Sequence, residues 1–538
     1  MWLLSIPVLA LIVISVAAIY KFIIYPTFIS PLSKIPNAHW SSPISPFWIL
    51  WTRYQCQENR KVHATHLKHG SVVRLAPNEL SVNDVGGLRT VYAGGFEKGQ
   101  WYSIFDNYGV PCMFSSWHSR THSARKRMIS NIYSKSNIHS STALAEQAKV
   151  ILYDRLLPTI KSISESSRLP DRVDVHDLWN ATTMDFITAY LFGLKNGSNF
   201  LNNESYRRHW FQLYHSRKTY TFFSQELPRL SRFLKYFFIH LTPTWVDDAN
   251  QELEAWTKDR CNATSAYVND GSAAKDNYSA NEPVVFGSLL SGIKKEEKKG
   301  SESVLGDTTL RCPELSIASE MIDHLAAGHE TSGITMTYLS WHLSKDHPLQ
   351  DALRKELLTL SPNMDFSPGS LKQNIPSSKD LDSLPLLHGI LMETLRLRAA
   401  IPGGQPRMTP YPSCTLGEFT NIPGGVRVGA QAHSVHRNAE AYPDPEKWDH
   451  LRWVDGENGY SEEQKRERDR HFWAFSSGGR MCVGSNFAMH ELKLIVAAVY
   501  SNFRTYIVDD EGIEQTDGYT CGPASNKLFL RFERILEE

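Results

Sequence analysis

The first twenty residues limit most sharply what this chain can become. From Trp2 to Tyr20 no charged residue occurs, and Leu, Ile, Val and Ala dominate. As a helix, this run spans about 28 Å at 1.5 Å per residue, close to the depth of a bilayer's hydrocarbon. The rival reading is a cleaved signal peptide, with Ser15-Val16-Ala17 as the candidate cleavage site. The run is longer than the usual apolar core of such a peptide, and no Lys or Arg precedes it. Residues 1–24 therefore read as a membrane anchor. Lys21, Lys34 and Arg53 follow, with no acidic residue before Glu58. By the positive-inside rule the remainder faces the cytoplasm, which in a eukaryotic cell points to a single pass through the endoplasmic reticulum membrane.

Pro26, Pro31, Pro36, Pro43 and Pro46 follow within residues 25–46. Proline fixes φ and cannot continue a helix, so an extended, stiff hinge is expected there. The cluster Phe47-Trp48-Ile49-Leu50-Trp51 is read as core packing, with the membrane interface as the alternative. Residues 47–538 read as one mainly α domain with small β-sheets. Helical periodicity recurs at Ala143–Leu157, Ser316–Leu343, Leu349–Leu358, Leu384–Leu397 and Asn486–Tyr500, and strand-like runs occur at Val72–Leu75 and Leu528–Arg531. The polar stretch 269–312, rich in Ser, Gly and Lys, reads as a solvated loop. Lys plus Arg equals Asp plus Glu at 57 each, which argues against nucleic acid as a partner. Seven scattered cysteines without a C-x-x-C pair argue against a disulfide framework and a structural zinc site.

The chemistry gathers near the C-terminus, in Phe475-Ser476-Ser477-Gly478-Gly479-Arg480-Met481-Cys482-Val483-Gly484. The glycines permit a tight turn that a flat cofactor can approach closely. Amides of the loop and of the following helix are expected to favour a negative sulfur and lower the thiol pKa. The segment fits F-x-x-G-x-R-x-C-x-G throughout and resembles the cytochrome P450 family, in which that Cys is the axial thiolate ligand of haem iron. The resemblance makes Phe475, Gly478, Arg480, Cys482 and Gly484 the core of a haem b site.

Three further segments carry the same resemblance. Glu393 and Arg396 form an E-x-x-R on one helix face. Arg452, in Trp448-Asp449-His450-Leu451-Arg452-Trp453, completes the family's buried structural triad. Ala327-Gly328-His329-Glu330-Thr331 sits mid-helix, where small Ala327 and Gly328 are expected to leave room for dioxygen. The Thr331 hydroxyl is expected to disturb the helical ladder there. The resemblance implies that Thr331 hydrogen-bonds dioxygen and that Glu330 is the acid replenishing its protons. His122 and Lys126 fall at the family's W-x-x-x-R positions, so with Arg480 they are candidate propionate partners; Arg125 is an alternative and Arg407 a further candidate.

The implied fold is the cytochrome P450 fold, and the implied reaction is monooxygenation of an apolar organic substrate. No Rossmann-type fingerprint or flavin domain is evident, so electrons are expected from NADPH–cytochrome P450 reductase, with cytochrome b5 as a further donor. The competing readings are a haem-thiolate isomerase or dehydratase and a non-catalytic haem-binding membrane protein. Pocket walls are expected around Tyr102–Pro111, Thr219–Leu227, Ser319–Thr331 and Ala399–Gln405. The chain's style is similar to fungal secondary-metabolism members, which suggests a terpenoid or polyketide intermediate as substrate.

Overall fold

The computed structural model describes residues 6–165, 172–366, 374–456 and 459–535. The N-terminal run is α-helical over Ile6–Ile19 and continues in wide π turns over Tyr20–Ile29. None of these residues is buried, and the helix is long and apolar enough to cross a membrane. The expectation of an extended, stiff hinge over residues 25–46 needs correction, since its start is helical and the chain after that is docked. Pro26 lies inside the helix, because π turns relax the hydrogen-bond ladder where proline supplies no N–H. The chain after it is docked: Leu32 and Ile35 are buried in the apolar cluster of the largest sheet. Arg74 donates to the Pro26 carbonyl at 2.7 Å, and its amide donates to the Pro36 carbonyl at 2.8 Å. The aromatic cluster forms the helix Phe47–Tyr54 and divides by face, with Ile49 buried and Phe47 and Trp51 exposed.

That sheet has four strands in the order Val72–Ala76, Glu79–Val82, Arg427–Gly429 and Arg407–Met408. The second and third strands pair in parallel and the outer pairs are antiparallel. A three-stranded antiparallel sheet joins Val173–Asp174, Phe529–Arg534 and Phe503–Asp509, and a hairpin pairs Ser413–Leu416 with Phe419–Pro423. Helices make up the rest of the core. The longest, Pro313–Ser344, packs along Val175–Phe192, a helix buried at every position except Asp177. Gly328 and Gly333 set the closeness of that contact, since an added Cβ would stand 2.5 Å from Ile187 and 2.7 Å from Asn180. The helix Ser485–Asn502, buried from Glu491 onward, begins just after Cys482.

The stretch 269–312 is not simply a loop. Val284–Glu297 is a helix that buries Val285, Phe286, Leu289 and Ile293, while Gly292 abuts Met128. These apolar residues recur at helical spacing, but the Ser, Gly and Lys around them hid the period. Thr142–Ser164 is helical as expected, widened into π turns over Val150–Leu156.

Removing residues 1–24 should leave the unfolding midpoint of the detergent-solubilised protein unchanged. Removing residues 1–36 should lower stability by about 3–6 kcal/mol, the value of burying one Leu and one Ile. Thermal unfolding of both truncations checks this, and equal midpoints would mean that the docked segment adds nothing.

Candidate active site

The loop before Cys482 closes when the Cys482 amide donates to the Phe475 carbonyl at 3.0 Å. Ser476 and Gly478 take left-handed conformations, φ 59° and 73°. At Gly478 a Cβ would stand 2.2 Å from the Tyr92 carbonyl, so only glycine fits. At Gly479 and Gly484 a Cβ would meet nothing within 4 Å, so the backbone there borders open space. The Cys482 side chain is accessible, yet burial pushes its thiol pKa up, which means that the sulfur faces a space inside the protein. This corrects the expected lowering. The Gly484 amide and Lys126 do favour the thiolate, but desolvation outweighs them. A metal cation on the sulfur is what would hold it ionised.

Behind the loop lies the buried carboxylate of Glu393. Arg396 donates to both its oxygens at 2.8 Å, while Trp453 Nε1 and the Asp449 amide add bonds of 3.0 and 2.8 Å. Arg452 Nε reaches it at 3.3 Å, so the three residues expected as a triad do meet. Arg396 also donates to the carbonyls of His436 and Pro445, both at 2.8 Å. His436 then transmits the position of the triad to the loop. Its Nδ1 donates to the Arg396 carbonyl at 2.7 Å, and its Nε2 accepts from the Trp473 amide at 2.8 Å. Burial and the neighbouring Arg396 lower the His436 pKa to about 3, which keeps the neutral tautomer those two bonds require. Trp473 Nε1 donates to Ser477 Oγ at 3.1 Å, inside the loop. Nothing in the sequence singled out His436 or Trp473.

Beside the loop is a buried group of cations. Arg480 donates to the carbonyls of Ser116 and Trp117 and pairs with Glu97 at 3.0 Å. Arg407 is buried and donates to the Tyr102 hydroxyl at 2.7 Å. Lys98, which the sequence gave no reason to select, lies with its ammonium over the rings of Tyr102 and Phe114, 4.0 and 3.9 Å from their centres. Burial, then Arg407 and Arg480, hold its pKa well below the usual lysine range. Burial first, then Arg480 and Lys98, bring His122 to about 3. Among the described residues neither Arg407 nor Lys98 has a carboxylate within 4.0 Å. So many buried like charges are costly unless anions complete them, and the two propionates of a haem would do so. Lys126 sits at the Cys loop instead, donating to the Gly479 carbonyl at 3.0 Å. Arg125 is committed to Glu320 at 3.0 Å and is not free for a propionate.

Across the space runs the helix Pro313–Ser344. Asp323, Ala327 and Thr331, four residues apart, share one face and keep accessible surface, while His324, Leu325, His329 and Glu330 are buried. Thr331 Oγ1 donates to the Ala327 carbonyl at 2.7 Å, adding a second bond to an oxygen of the ladder, as expected. Gly328 keeps some accessible surface beside Ala327, but its smallness also fits the helix against Ile187, which an added Cβ would meet at 2.5 Å. Glu330 also differs from expectation. It pairs with Lys218 and accepts from Thr520 Oγ1 at 3.0 Å and the Tyr214 hydroxyl at 3.2 Å. Burial works to raise its pKa, but Lys218, His215 and His329 draw it down to about 2. Glu330 is therefore held as a carboxylate rather than as a resident acid.

Lys218 belongs to a stretch, His215–Trp245, in which no residue is buried. Its second charged anchor is Glu226, which accepts from Arg427 at 2.8 Å, Arg53 at 3.2 Å and Trp101 Nε1 at 2.8 Å. Glu330 of the body and Glu226 of the stretch thus tie this stretch down through ion pairs.

An inward-facing sulfur, with uncompensated cations at its rim and a threonine-bearing helix opposite, is the setting of a haem-thiolate centre. The family model for cytochrome P450 matches residues 42–528, and the chain belongs to that family of haem b oxidoreductases. It is 28% identical over 443 residues to the cytochrome P450 monooxygenase avaI of Aspergillus versicolor, covering 79% of this chain and 94% of that protein. The cytochrome P450 monooxygenase tazI of Aspergillus terreus is 25% identical over 92% of each chain, and orf2 of Aspergillus niger is 22% identical over 94% of each.

Removing either partner of the pair behind the loop strands a buried charge. Glu393→Ala and Arg396→Ala should each cost about 3–5 kcal/mol and lose haem on purification. Denaturant unfolding and haem content per chain check this, and full haem content in both variants would contradict the positioning role.

Proposed function

We propose that this chain is a membrane-anchored monooxygenase that inserts one oxygen atom of dioxygen into an apolar substrate. The substrate is a secondary-metabolite intermediate with a terpenoid or polyketide skeleton. Electrons come from NADPH through a separate reductase, with cytochrome b5 as a further donor. The catalytic domain faces the cytoplasm from the endoplasmic reticulum membrane. The fungal relatives named as monooxygenases support the reaction class, and the apolar N-terminal helix, uncharged as far as Tyr20 and with Lys21 and Lys34 on its C-terminal side, supports the topology.

One observation carries the reading. Thr331 keeps accessible surface on the helix face of Asp323, whose charge acts on Cys482, and its neighbour Glu330 is wired to Lys218, Thr520 and Tyr214. When bound on Cys482, haem supplies the centre at which dioxygen is reduced and its O–O bond is cleaved, a step the thiolate favours. The chain's own residues supply the protons. Burial lowers the Lys218 pKa, so Lys218 releases a proton more readily than a surface lysine. The Lys218–Glu330 pair holds that proton beside Thr331, from where it is passed towards the distal space. The Thr331 hydroxyl, now given to the Ala327 carbonyl, can swing to donate a hydrogen bond into the space instead. Rings of Trp101, Tyr102, Phe105, Phe114 and Tyr519 make a continuous aromatic wall, which excludes water and suits an apolar substrate.

The test is product formed per NADPH oxidised, with the same reductase throughout. Thr331→Ala should keep the carbon monoxide spectrum yet divert reducing equivalents into hydrogen peroxide. Glu330→Gln should slow product formation by about 10²-fold, the lower end for lost general acid–base help. Unchanged coupling and rate in both variants would favour an isomerase, which needs no proton delivery to dioxygen.

A further inference from the structure

Three carboxyl groups lie on the central helix between Glu320 and Thr331. Two have a cation: Glu320 pairs with Arg125 at 3.0 Å, and Glu330 pairs with Lys218. Asp323 has no Lys, Arg or His within 4.0 Å among the described residues. It stands one turn before Ala327 and two before Thr331, on the face open to the Cys482 space. Its charge is felt by Cys482, Tyr519, Cys112 and Lys98, which come from four other parts of the chain.

The groups already beside Asp323 do not complete it. The Cys112 thiol and the Phe114 backbone lie near enough to favour its charged form, but less than burial opposes it. A carboxylate accepts about four hydrogen bonds, so capacity remains. Lys98, the nearest cation acting on it, is lodged on the Phe114 carbonyl between two rings and belongs to the group with Arg407 and Arg480. A carboxyl without a cation in such surroundings resists ionisation, and burial pushes Asp323 up to about 7. An arriving cation would draw it into the charged form. The neighbouring wall is suited to the same guest: Phe105 lies 5.0 Å from Phe114 and 5.5 Å from Tyr519, ring centre to ring centre, and aromatic faces attract cations.

We propose that Asp323 is the anchoring residue of the substrate site, and that the substrate is an apolar molecule carrying a basic nitrogen, held as its ammonium against Asp323. The proposal rests on the reading of the Cys482 space as a substrate pocket and narrows its substrate class. A fixed anchor on the helix that carries Thr331 also selects which carbon is oxidised, by its distance from the nitrogen.

The test uses haem-loaded, full-length protein and two probes of equal shape. One is N-tert-butyl-(naphthalen-2-ylmethyl)amine, whose bulk keeps its nitrogen off the iron; the other is its carbon isostere, 2-(3,3-dimethylbutyl)naphthalene. Dissociation constants come from titration of the Soret band and from calorimetry. The wild type should bind the amine at least about tenfold more tightly than the hydrocarbon, the effect of one charge-assisted hydrogen bond. Asp323→Asn should erase the preference while keeping the carbon monoxide spectrum and hydrocarbon affinity, and Asp323→Glu should restore part of it. No preference in the wild type, no saturable binding of the amine, or an undiminished preference in Asp323→Asn would overturn the proposal. NADPH- and dioxygen-dependent turnover is measured separately. Amine preference without such turnover would sink the monooxygenase reading and leave the anchor standing, whereas turnover without amine preference would do the reverse.

Discussion

The loop that presents Cys482 is held from behind by one carboxylate that never meets water. Glu393 takes bonds from Arg396, Arg452, Trp453 and the Asp449 amide, so its charge is spread over donors from two segments of chain. Arg396 passes that order to His436, and His436 fixes the Trp473 amide where the loop begins. The loop itself cannot supply this rigidity. It needs left-handed Ser476 and Gly478, and two of its glycines face open space. Its geometry is therefore imposed from outside, and a half-satisfied network there would be worse than an apolar core.

Buried charge organises the opposite side of the space as well. The central helix carries Glu320, Asp323 and Glu330, and the partner of each decides what it can do. Arg125 makes Glu320 structural, whereas Lys218 keeps Glu330 ionised and ties it to the stretch over the domain. Asp323 is left for a guest. Glu226, bound by Arg53, Arg427 and Trp101, fixes the far end of the same stretch. Between these two anchors no residue is fully buried, and Phe222 and Phe223 pack against Tyr54, so the stretch is held by charge together with partial aromatic packing.

What could be read in the sequence was what lies close together along the chain. The apolar run, the Cys loop, the E-x-x-R pair and the Thr-bearing helix are contiguous patterns with local physical meaning, and each is found where expected. What escaped acts across the fold. Gly328 reads as open room until Ile187 of another helix is seen against it. Glu330 reads as an acid until Lys218 arrives from a distant segment. Lys98, His436 and Trp473 carry no local signal at all, because their roles depend on which backbone passes beside them. The helix Val284–Glu297 was hidden by composition, and Pro26 was taken as a breaker because a π turn cannot be foreseen from one proline.

The central claim is that Cys482 carries the haem iron as a thiolate, despite burial that on its own favours the thiol. The direct measurement is the Soret spectrum of the reduced, haem-loaded protein under carbon monoxide, for the wild type and for Cys482→Ala. The account predicts the strongly red-shifted band of thiolate ligation in the wild type and its loss in the variant. A variant that keeps the band would show that another residue holds the iron.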